Sequence, residues 1–282
     1  MYEVIFENDN GKVFTFGPSG SNWFGINMAD GMEVTLGKSQ GFSQMGETVE
    51  TQSVAGRTLN VTGQFYGDVV SHKNRLRNVC PPLSSGRLIF QKTHYIRVFV
   101  KAAPSFSPIR NNGKFTMQFF APFPFFSSFE EKHYLIGGVI PGFRFPVNYV
   151  RPHRFGTRAM EKYTNVINPG DVAVPFTLVL RSEGVSTNPT VSNLTTFSFL
   201  KLNGTINAGE FVTIYRDNGN VLRVELTSGN VVTDVMSWLD DESTLVELTS
   251  GDNLISATDD QNGAGLVVSF RFHPAVVALY ET

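Results

Sequence analysis

The sequence predicts a mainly β protein: a β-sandwich-like first domain with one short helix, followed by a jelly-roll or lectin-like β-sandwich. Two observations predict this class. Apolar residues alternate with polar ones in runs such as RTLNVTGQF (residues 57–65), which is the period of a half-buried strand. In the second half, turn pairs such as Asn218-Gly219 and Ser228-Gly229 recur about every ten residues, the spacing typical of a sandwich or barrel.

Length and charge limit the classes of function. The chain has 282 residues, a formal net charge of −2 and 41% hydrophobic residues, which suggests about two domains. Its charged fraction of 17% is below the roughly 25% of ordinary soluble domains, which fits a protein with much surface buried in an assembly. Near-neutral charge argues against a general binder of nucleic acid or anionic lipid. Apolar runs stay below the roughly 18 residues of a membrane helix, so we expect no membrane segment.

The first half begins with a predicted hairpin over residues 1–16, whose turn lies at Asp9-Asn10-Gly11 because an Asn-Gly pair favours a tight turn. Residues 17–56 are rich in Gly, Ser, Asn and Thr. We predict a long, loop-dominated segment there, with one strand at MEVTL (residues 32–36). The strand over residues 57–65 should bury Leu59, Val61 and Phe65.

The best helix candidate is DVVSHKNRLRNV, residues 68–79. Val69, His72, Leu76 and Val79 share one stripe of it, and Lys73, Arg75 and Arg77 are predicted to lie largely off that stripe. Cys80-Pro81-Pro82 ends the helix, since proline has no N–H and disfavours helical geometry before it. A hairpin of GRLIFQ (86–91) and HYIRVFVKA (94–102) follows, and KFTMQFFA (114–121) is the last predicted strand of this half.

The stretch MQFFAPFPFF, residues 117–126, holds five phenylalanines and no charge. Pro122 and Pro124 should end the strand, because proline cannot donate to a β ladder. We predict that Phe123, Phe125 and Phe126 pack at a junction between two domains; the alternative is that all three belong to the core of the first domain. The predicted boundary near Ser127 gives domains of residues 1–128 and 129–282, with 129–165 partly a linker or arm and residues 151–162 rich in arginine.

The second domain contains six predicted strands separated by turn pairs. They are FTLVLR (176–181), TTFSFLKL (195–202), EFVTIYR (210–216), NVLRVEL (220–226), TLVEL (244–248) and LVVSFRF (266–272).

The sequence predicts no catalytic, cofactor-binding or metal site. Its five histidines are scattered, its single cysteine, Cys80, permits no zinc cluster, and no nucleophile-elbow or phosphate-loop motif occurs. We interpret Asp240-Asp241-Glu242 and Asp259-Asp260 as loop acids; a catalytic or calcium role is the alternative. Trp23 and Trp238 are interpreted as packing residues, with sugar stacking as the alternative, and Cys80 as a buried structural thiol.

Several local patterns, taken in order, resemble the siphophage distal tail (Dit) family. In the first half they are GFSQMGETVETQSVAGRTLNVTGQFYG, KNRLRNVCPPLSSGRLIF, YIRVFVKAAPSF and FFAPFPFF, with their marking residues at Gly41, Gly46, Arg57, Leu76, Pro81, Gly86, Leu88 and Pro124. In the second half they are FLKLNGTINAGEFVTIYRDNGNVLRVELTSGN and LVELTSGDNLISATDDQNGAGLVVSFRFHPAVVAL, which resemble the same family's galectin-like sandwich.

The resemblance implies a structural role without enzymatic activity. Proteins of this family form a ring, expected here to be a hexamer, at the tip of a long non-contractile phage tail. Residues 1–128 would build the ring and the galectin-like domain would sit outside it. The implied partners are the tail tube protein, the tail-tip (tail-associated lysin) protein and the receptor-binding protein, in a virion assembled in the host cytoplasm. The alternative function is a carbohydrate-binding module that attaches the virion to host surface glycans.

Overall fold

A computed structural model describes residues 3–17, 22–27, 33–65, 67–108, 113–137, 139–141, 156–158, 163–244, 246–261 and 265–279. The chain divides into two compact units, one of residues 1–129 with 278–282 and the other of residues 130–277. The predicted fold class is confirmed, because the described residues are mostly strand and contain a single α-helix.

The first unit contains ten strands and the helix. They are β1 (Val4–Asn8), β2 (Val13–Phe16), β3 (Asn22–Asn27), β4 (Val34–Ser39), β5 (Thr48–Val54), β6 (Arg57–Phe65), α1 (Val69–Val79), β7 (Ser85–Phe90), β8 (His94–Phe106), β9 (Lys114–Ala121) and β10 (Phe126–Ser128). The main sheet runs in the order β2-β1-β7-β8-β9-β6-β3, and β4 and β5 form a separate antiparallel hairpin.

The main sheet is strongly curled around an aromatic core. Four strands separate β2 from β6 in the sheet order, yet the rings of Phe14 on β2 and Phe65 on β6 lie 6.1 Å apart. Phe16 on β2 likewise lies 6.3 Å from Phe115 on β9. The alternation predicted for residues 57–65 is confirmed, since Leu59, Val61 and Phe65 are buried. Further buried side chains of this core are Phe6, Leu88, Ile96, Val98, Met117 and Phe119.

The prediction for residues 17–56 is wrong, because three strands occur there. β3 extends the main sheet by pairing with β6, and β4 with β5 forms the hairpin, of which MEVTL covers only the beginning. The polar composition of TVETQSV concealed β5. Alternation of polar with apolar residues signals a strand only when one face is buried, and every residue of β5 is exposed.

Helix α1 confirms the predicted element and corrects one of its faces. Asp68 caps its N-terminus by accepting the N–H of Ser71, and Leu76 and Val79 are buried as expected. Lys73 is buried as well, contrary to the prediction that it lies off the apolar stripe. Its ammonium donates to the carbonyl of Ser107 at 3.4 Å and lies 5.7 Å from the centre of the Phe106 ring. The methylene groups of a lysine side chain can be buried against apolar surface while its ammonium group contacts polar or aromatic groups.

Strands β9 and β10 lie in line along the same side of β8. β9 pairs with β8 from Phe99 to Phe106, and β10 pairs with its beginning, where Ser128 faces His94. β7 occupies the other side of β8. The two prolines of the phenylalanine-rich stretch lie between β9 and β10. They therefore interrupt what would otherwise be one continuous strand beside β8, as expected for residues that cannot donate to a ladder.

The second unit is built from short strands. They are β11 (Lys132–Ile136), β12 (Val139–Pro141), β13 (Gly156–Arg158), β14 (Tyr163–Asn168), β15 (Thr177–Ser182), β16 (Ser186–Thr187), β17 (Thr190–Asn193), β18 (Ser198–Lys201), β19 (Thr205–Ile206), β20 (Phe211–Arg216), β21 (Leu222–Ser228), β22 (Val231–Asp234), β23 (Gly251–Thr258), β24 (Leu266–Phe272) and β25 (Ala275–Val276), with a 3-10 turn at Met236–Trp238. A six-stranded sheet has the order β11-β24-β15-β20-β21-β22, and a four-stranded sheet has the order β14-β23-β17-β18.

Each of these two sheets buries one face, as a sandwich requires. The six-stranded sheet buries Leu178, Leu180, Val212, Ile214, Val224, Val268 and Phe270, and the four-stranded sheet buries Val166, Val191, Leu200 and Ile255. The strand predicted at LVVSFRF is β24, and those at FTLVLR, EFVTIYR and NVLRVEL correspond to β15, β20 and β21. β18 begins at Ser198, three residues later than TTFSFLKL predicts.

The strand predicted at TLVEL (244–248) is wrong. Its described residues form only an isolated bridge, between Leu248 and Val174. Side-chain amides take the place of a ladder, since Asn193 donates to the carbonyl of Glu247 at 3.2 Å and Asn168 to that of Leu248 at 2.9 Å. Asn253 donates to the carbonyl of Thr249 at 2.8 Å. Buried backbone groups need partners, and here asparagines supply them.

Asn8 joins the first hairpin to the end of helix α1. Its side-chain oxygen accepts the N–H groups of Asn10 at 3.1 Å and Lys12 at 2.8 Å, which fixes the β1–β2 turn. Its side-chain nitrogen donates to the carbonyl of Val79 at 3.0 Å, one of the helix carbonyls that lack an intrahelical partner. One buried side-chain amide therefore fixes the β1–β2 turn and holds the C-terminal end of α1 against it.

We expect Asn8→Ala to lower the free energy of unfolding of the first unit by about 1–3 kcal/mol, because it leaves buried backbone groups without partners. Asn10→Ala, an exposed position in the same turn, is the matched control and should change it by less than about 0.5 kcal/mol. Chemical denaturation followed by circular dichroism measures both. Equal effects of the two substitutions would contradict this role for Asn8.

Candidate interaction surfaces

The β4–β5 hairpin is exposed along its whole length. Its thirteen strand residues alternate sides as in any ribbon, yet all are exposed except the half-buried Gly37. The apolar side chains of Val34, Leu36, Val49 and Val54 are all among the exposed ones. A two-stranded hairpin is marginally stable alone, because it needs a third strand or a helix to cover one face. Nothing in the described part of this chain provides that cover.

The tip of the hairpin, residues 40–47, presents Phe42 and Met45 with fully exposed side chains. The tip is nevertheless ordered by its own hydrogen bonds. The side chain of Gln44 accepts the N–H of Gly41 at 2.9 Å and donates to the hydroxyl of Thr48 at 2.9 Å. Below the tip, Lys38 and Glu47 form an ion pair at 2.8 Å. Two large apolar side chains thus stand in water on an ordered loop.

Sequence reasoning missed this surface, although a signal for it was present. In GFSQMG, a phenylalanine and a methionine each stand alone among small and polar residues. Isolated apolar residues of this kind have no periodicity, so pattern analysis assigns them to a loop. Their exposure shows only when the two flanking strands are seen to pair with each other and with nothing else described.

The predicted junction residues divide into two groups. Phe126 is buried, meets the ring of Phe90 edge-on at 5.2 Å and lies under the Arg57 guanidinium at 5.3 Å, all within the first unit. Phe123 and Phe125 are half-buried and pair edge-to-face at 5.2 Å. A junction role for Phe123, Phe125 and Phe126 remains a prediction.

The acidic groups hold loops in place. Asp240 accepts from the side chain of Asn203 at 2.9 Å and from the N–H of Glu242 at 2.9 Å. Asp259 accepts from the hydroxyl of Ser186 at 2.7 Å, and Asp260 from the side chain of Asn188 at 2.8 Å. The described residues contain no group of three or more His, Cys, Asp or Glu side chains placed to hold a metal ion.

The remaining predicted positions are packed or lie outside the described residues. Cys80 is buried, and burial raises the pKa of its thiol to about 12, so the thiol stays protonated. Trp238 packs against Gly204, where an added Cβ would meet the indole ring at 2.3 Å. The side chain of Trp23 and the arginine-rich residues 151–162, apart from the backbone of β13, lie outside the described residues. No described helix has the length and apolarity to cross a membrane.

Neither a known family model nor a curated protein sequence matches the chain. Solved structures do. The crystal structure of SPP1 Dit (gp 19.1), described as a paradigm of the hub adsorption apparatus in phages infecting Gram-positive bacteria, is similar with a TM-score of 0.57 and 16% sequence identity, over 95% of this chain and 99% of that chain. The phage P2 baseplate in its Ca-activated conformation has a TM-score of 0.44 and 12% identity, over 96% of this chain and 97% of that chain.

The chain has the fold of SPP1 Dit over nearly its whole length. The resemblance to the distal tail family that the residue patterns indicated is therefore confirmed at the level of fold. Since folds host many functions, what the chain does is argued separately.

The pH dependence of stability tests the structural role of Asp240. Hydrogen bonds from the Asn203 side chain and the N–H of Glu242, with Lys201 nearby, hold the pKa of Asp240 below its ordinary value. A carboxyl with a lowered folded-state pKa stabilises the fold above its unfolded pKa, and this contribution disappears as pH falls through the folded value.

We therefore expect Asp240→Asn to melt at a lower temperature than the unsubstituted protein at pH 7, with a smaller difference at about pH 3. The neighbouring exposed Asp241→Asn is the control and should show no such trend. Differential scanning fluorimetry across this range measures it. A melting difference independent of pH would contradict the assignment.

Proposed function

We propose that the chain is a structural subunit of a phage tail tip, a distal tail protein. The observation that carries this proposal is the likeness of fold to SPP1 Dit, which covers nearly all of both chains. Likeness over both units matters, because a β-sandwich alone serves many unrelated functions. In this proposal the protein resides at the tail tip of the virion after assembly in the host cytoplasm, and it has no enzymatic activity.

The exposed hairpin supports assembly into a closed ring. A ring forms when one surface of a subunit binds a different surface of the next and the rotation closes. The β4–β5 hairpin suits one side of such a contact, since Phe42 and Met45 project from an element without a cover of its own. Burial of one large apolar side chain contributes about 1.5–3 kcal/mol. We propose a hexameric ring built by residues 1–128, the number of subunits following from the family resemblance.

The two units would divide the work. Residues 1–128 join the ring to the tail tube protein and to the tail-tip (tail-associated lysin) protein. Residues 129–282, proposed to be a galectin-like sandwich, face outwards and dock the receptor-binding protein. The formal charges agree with such a division, because residues 1–129 carry an excess of basic residues and residues 130–282 an excess of acidic ones. Oppositely charged surfaces on one subunit favour different partners.

Glycan binding is the second candidate function, and one observation favours it. On the outer face of the four-stranded sheet, Tyr163, Ser256, Ser192 and Phe199 are cross-strand neighbours in one continuous row. Two aromatic rings with hydroxyl groups between them suit stacking and hydrogen bonding to a saccharide. A glycan array on the purified protein separates the candidates, since a specific hit lost in Tyr163→Ala would favour glycan attachment.

The hairpin generates a direct test of the ring. We expect Phe42→Ser with Met45→Ser to abolish incorporation of the protein into tails and to leave its melting temperature within about 2 °C, because fully exposed side chains contribute little to folding of the free chain. Complementation of a phage lacking the gene, with electron microscopy of the tails, measures incorporation. Val185→Ser with Val221→Ser, two exposed valines of the second unit, is the matched control. If the hairpin variant forms tails at the same yield as the unsubstituted protein, the proposed ring contact through the hairpin is wrong.

The junction generates another test. Phe126→Ser should lower the free energy of unfolding of the first unit by about 3 kcal/mol or more, because the aromatic side chain of Phe126 packs on that of Phe90. Phe125→Ser should leave melting of both units unchanged but speed proteolytic cleavage between about residues 127 and 165, since loosened exposed segments are preferred cutting sites. Scanning calorimetry and timed proteolysis of the full chain measure these effects. If Phe125→Ser destabilises the first unit as much as Phe126→Ser does, Phe125 is core and the junction role is wrong.

A further inference from the structure

Phe197 combines two features that the fold of the second unit does not require. It lies in the turn between β17 and β18 with a φ angle of 57°, in the left-handed region that side chains other than Asn, Asp and Gly rarely adopt. Its side chain is also 89% exposed. An asparagine or glycine at this position would relieve the backbone and remove an apolar ring from water. Strained, exposed residues of this kind concentrate at functional sites.

The turn that carries Phe197 is held rigidly from below. The buried side chain of Asn193 accepts the N–H groups of Thr195 at 3.0 Å and Thr196 at 3.4 Å. The same side chain donates to the oxygen of Asn253 at 3.1 Å, within the asparagine network that replaces a β ladder. An anchor fixed before binding loses little conformational freedom on binding, which favours affinity.

Two further apolar side chains stand beside this turn. The N–H of Leu194 donates to the carbonyl of Leu254 at 2.8 Å, and the N–H of Leu254 donates to the hydroxyl of Thr195 at 3.0 Å. Both leucines are exposed. Leu194, Phe197 and Leu254, three exposed apolar side chains on segments joined by these hydrogen bonds, are together called here the Phe197 knob.

An exposed carboxylate lies next to the Phe197 knob. Asp252 precedes Leu254 by two residues on β23, so the two side chains share one face of the strand, and both are exposed. Asp252 accepts from the side chain of Asn165 at 2.8 Å. Glu247, whose carbonyl accepts from Asn193, is exposed, and its carboxylate lies 3.9 Å from the Arg216 guanidinium. A partner that covers the Phe197 knob therefore gains from a basic residue placed opposite Asp252.

We propose that the Phe197 knob docks into an apolar pocket, with a lysine or arginine at its edge opposite Asp252, on another protein of the virion. This inference rests on the proposed function. Aromatic side chains that fill a partner's pocket are typical centres of binding energy, and the surrounding charge sets orientation and association rate.

Photo-crosslinking in the virion tests the partner. The chain carries p-benzoylphenylalanine in place of Phe197, complements a phage lacking the gene, and is irradiated in purified virions before mass spectrometry. We expect crosslinks to peptides of a different virion protein, with lysine or arginine close to the crosslinked residue. The same photoreactive residue in place of Val231, on the exposed β22 strand, is the control and should not reach that peptide.

If the chain is present in the virions but crosslinks only to a second copy of itself, only to lipid, or to nothing, the docking proposal is wrong. Absence of the chain from purified virions would overturn the proposed function itself and, with it, the partner named here. Mass spectrometry of the same sample separates these results.

A substitution then distinguishes docking from a structural role. Phe197→Asn suits the left-handed backbone, so its melting temperature should equal or exceed that of the unsubstituted protein. Its affinity for the crosslinked protein, measured by isothermal titration, should fall about tenfold or more. A lowered melting temperature with unchanged affinity would show that Phe197 serves the fold and would overturn the proposal.

Discussion

The β4–β5 hairpin has no cover from the described part of its own chain. Folding is driven by removal of apolar surface from water, and this hairpin keeps both of its faces in water while its tip holds Phe42 and Met45 fully exposed. The curled main sheet of the first unit buries an aromatic core that includes Phe6, Phe65 and Phe119. Exposed apolar side chains on an uncovered element of this kind mark a surface suited to contact with another molecule.

The polar interior of the second unit follows a different physical rule. Asn168, Asn193 and Asn253 donate to the backbone carbonyls of Leu248, Glu247 and Thr249. The segment from Val246 to Ser250 forms no strand, and its only β bridge joins Leu248 to Val174. Such fully satisfied networks fix a unique geometry, because each unpaired member would be costly. The same network fixes the turn of Phe197. The asparagine network therefore orders both the interior of the second unit and the turn that exposes Phe197.

Sequence reasoning found the elements whose pattern is local. The bounds of β9 and β24 were predicted to the residue, because strict alternation with one buried face leaves a period-two signal. Helix α1 was predicted from its stripe and its Pro-Pro stop, although Lys73 showed that a long side chain can lie on a buried face. β5 was missed because an unburied strand has no alternation, and the strand at TLVEL was wrongly predicted because asparagines distant in sequence take its carbonyls. The candidate surfaces depend on which strands pair, which no local pattern contains.

We propose that this chain is a subunit of a ring at the tail tip, joined through the β4–β5 hairpin. Cryo-electron microscopy of intact virions, at a resolution that traces side chains, is the decisive experiment. We expect a closed ring at the tail tip in which Phe42 and Met45 of each copy are covered by the next. A map that places the chain away from the tail tip, or that leaves the hairpin in solvent within a formed ring, would contradict it.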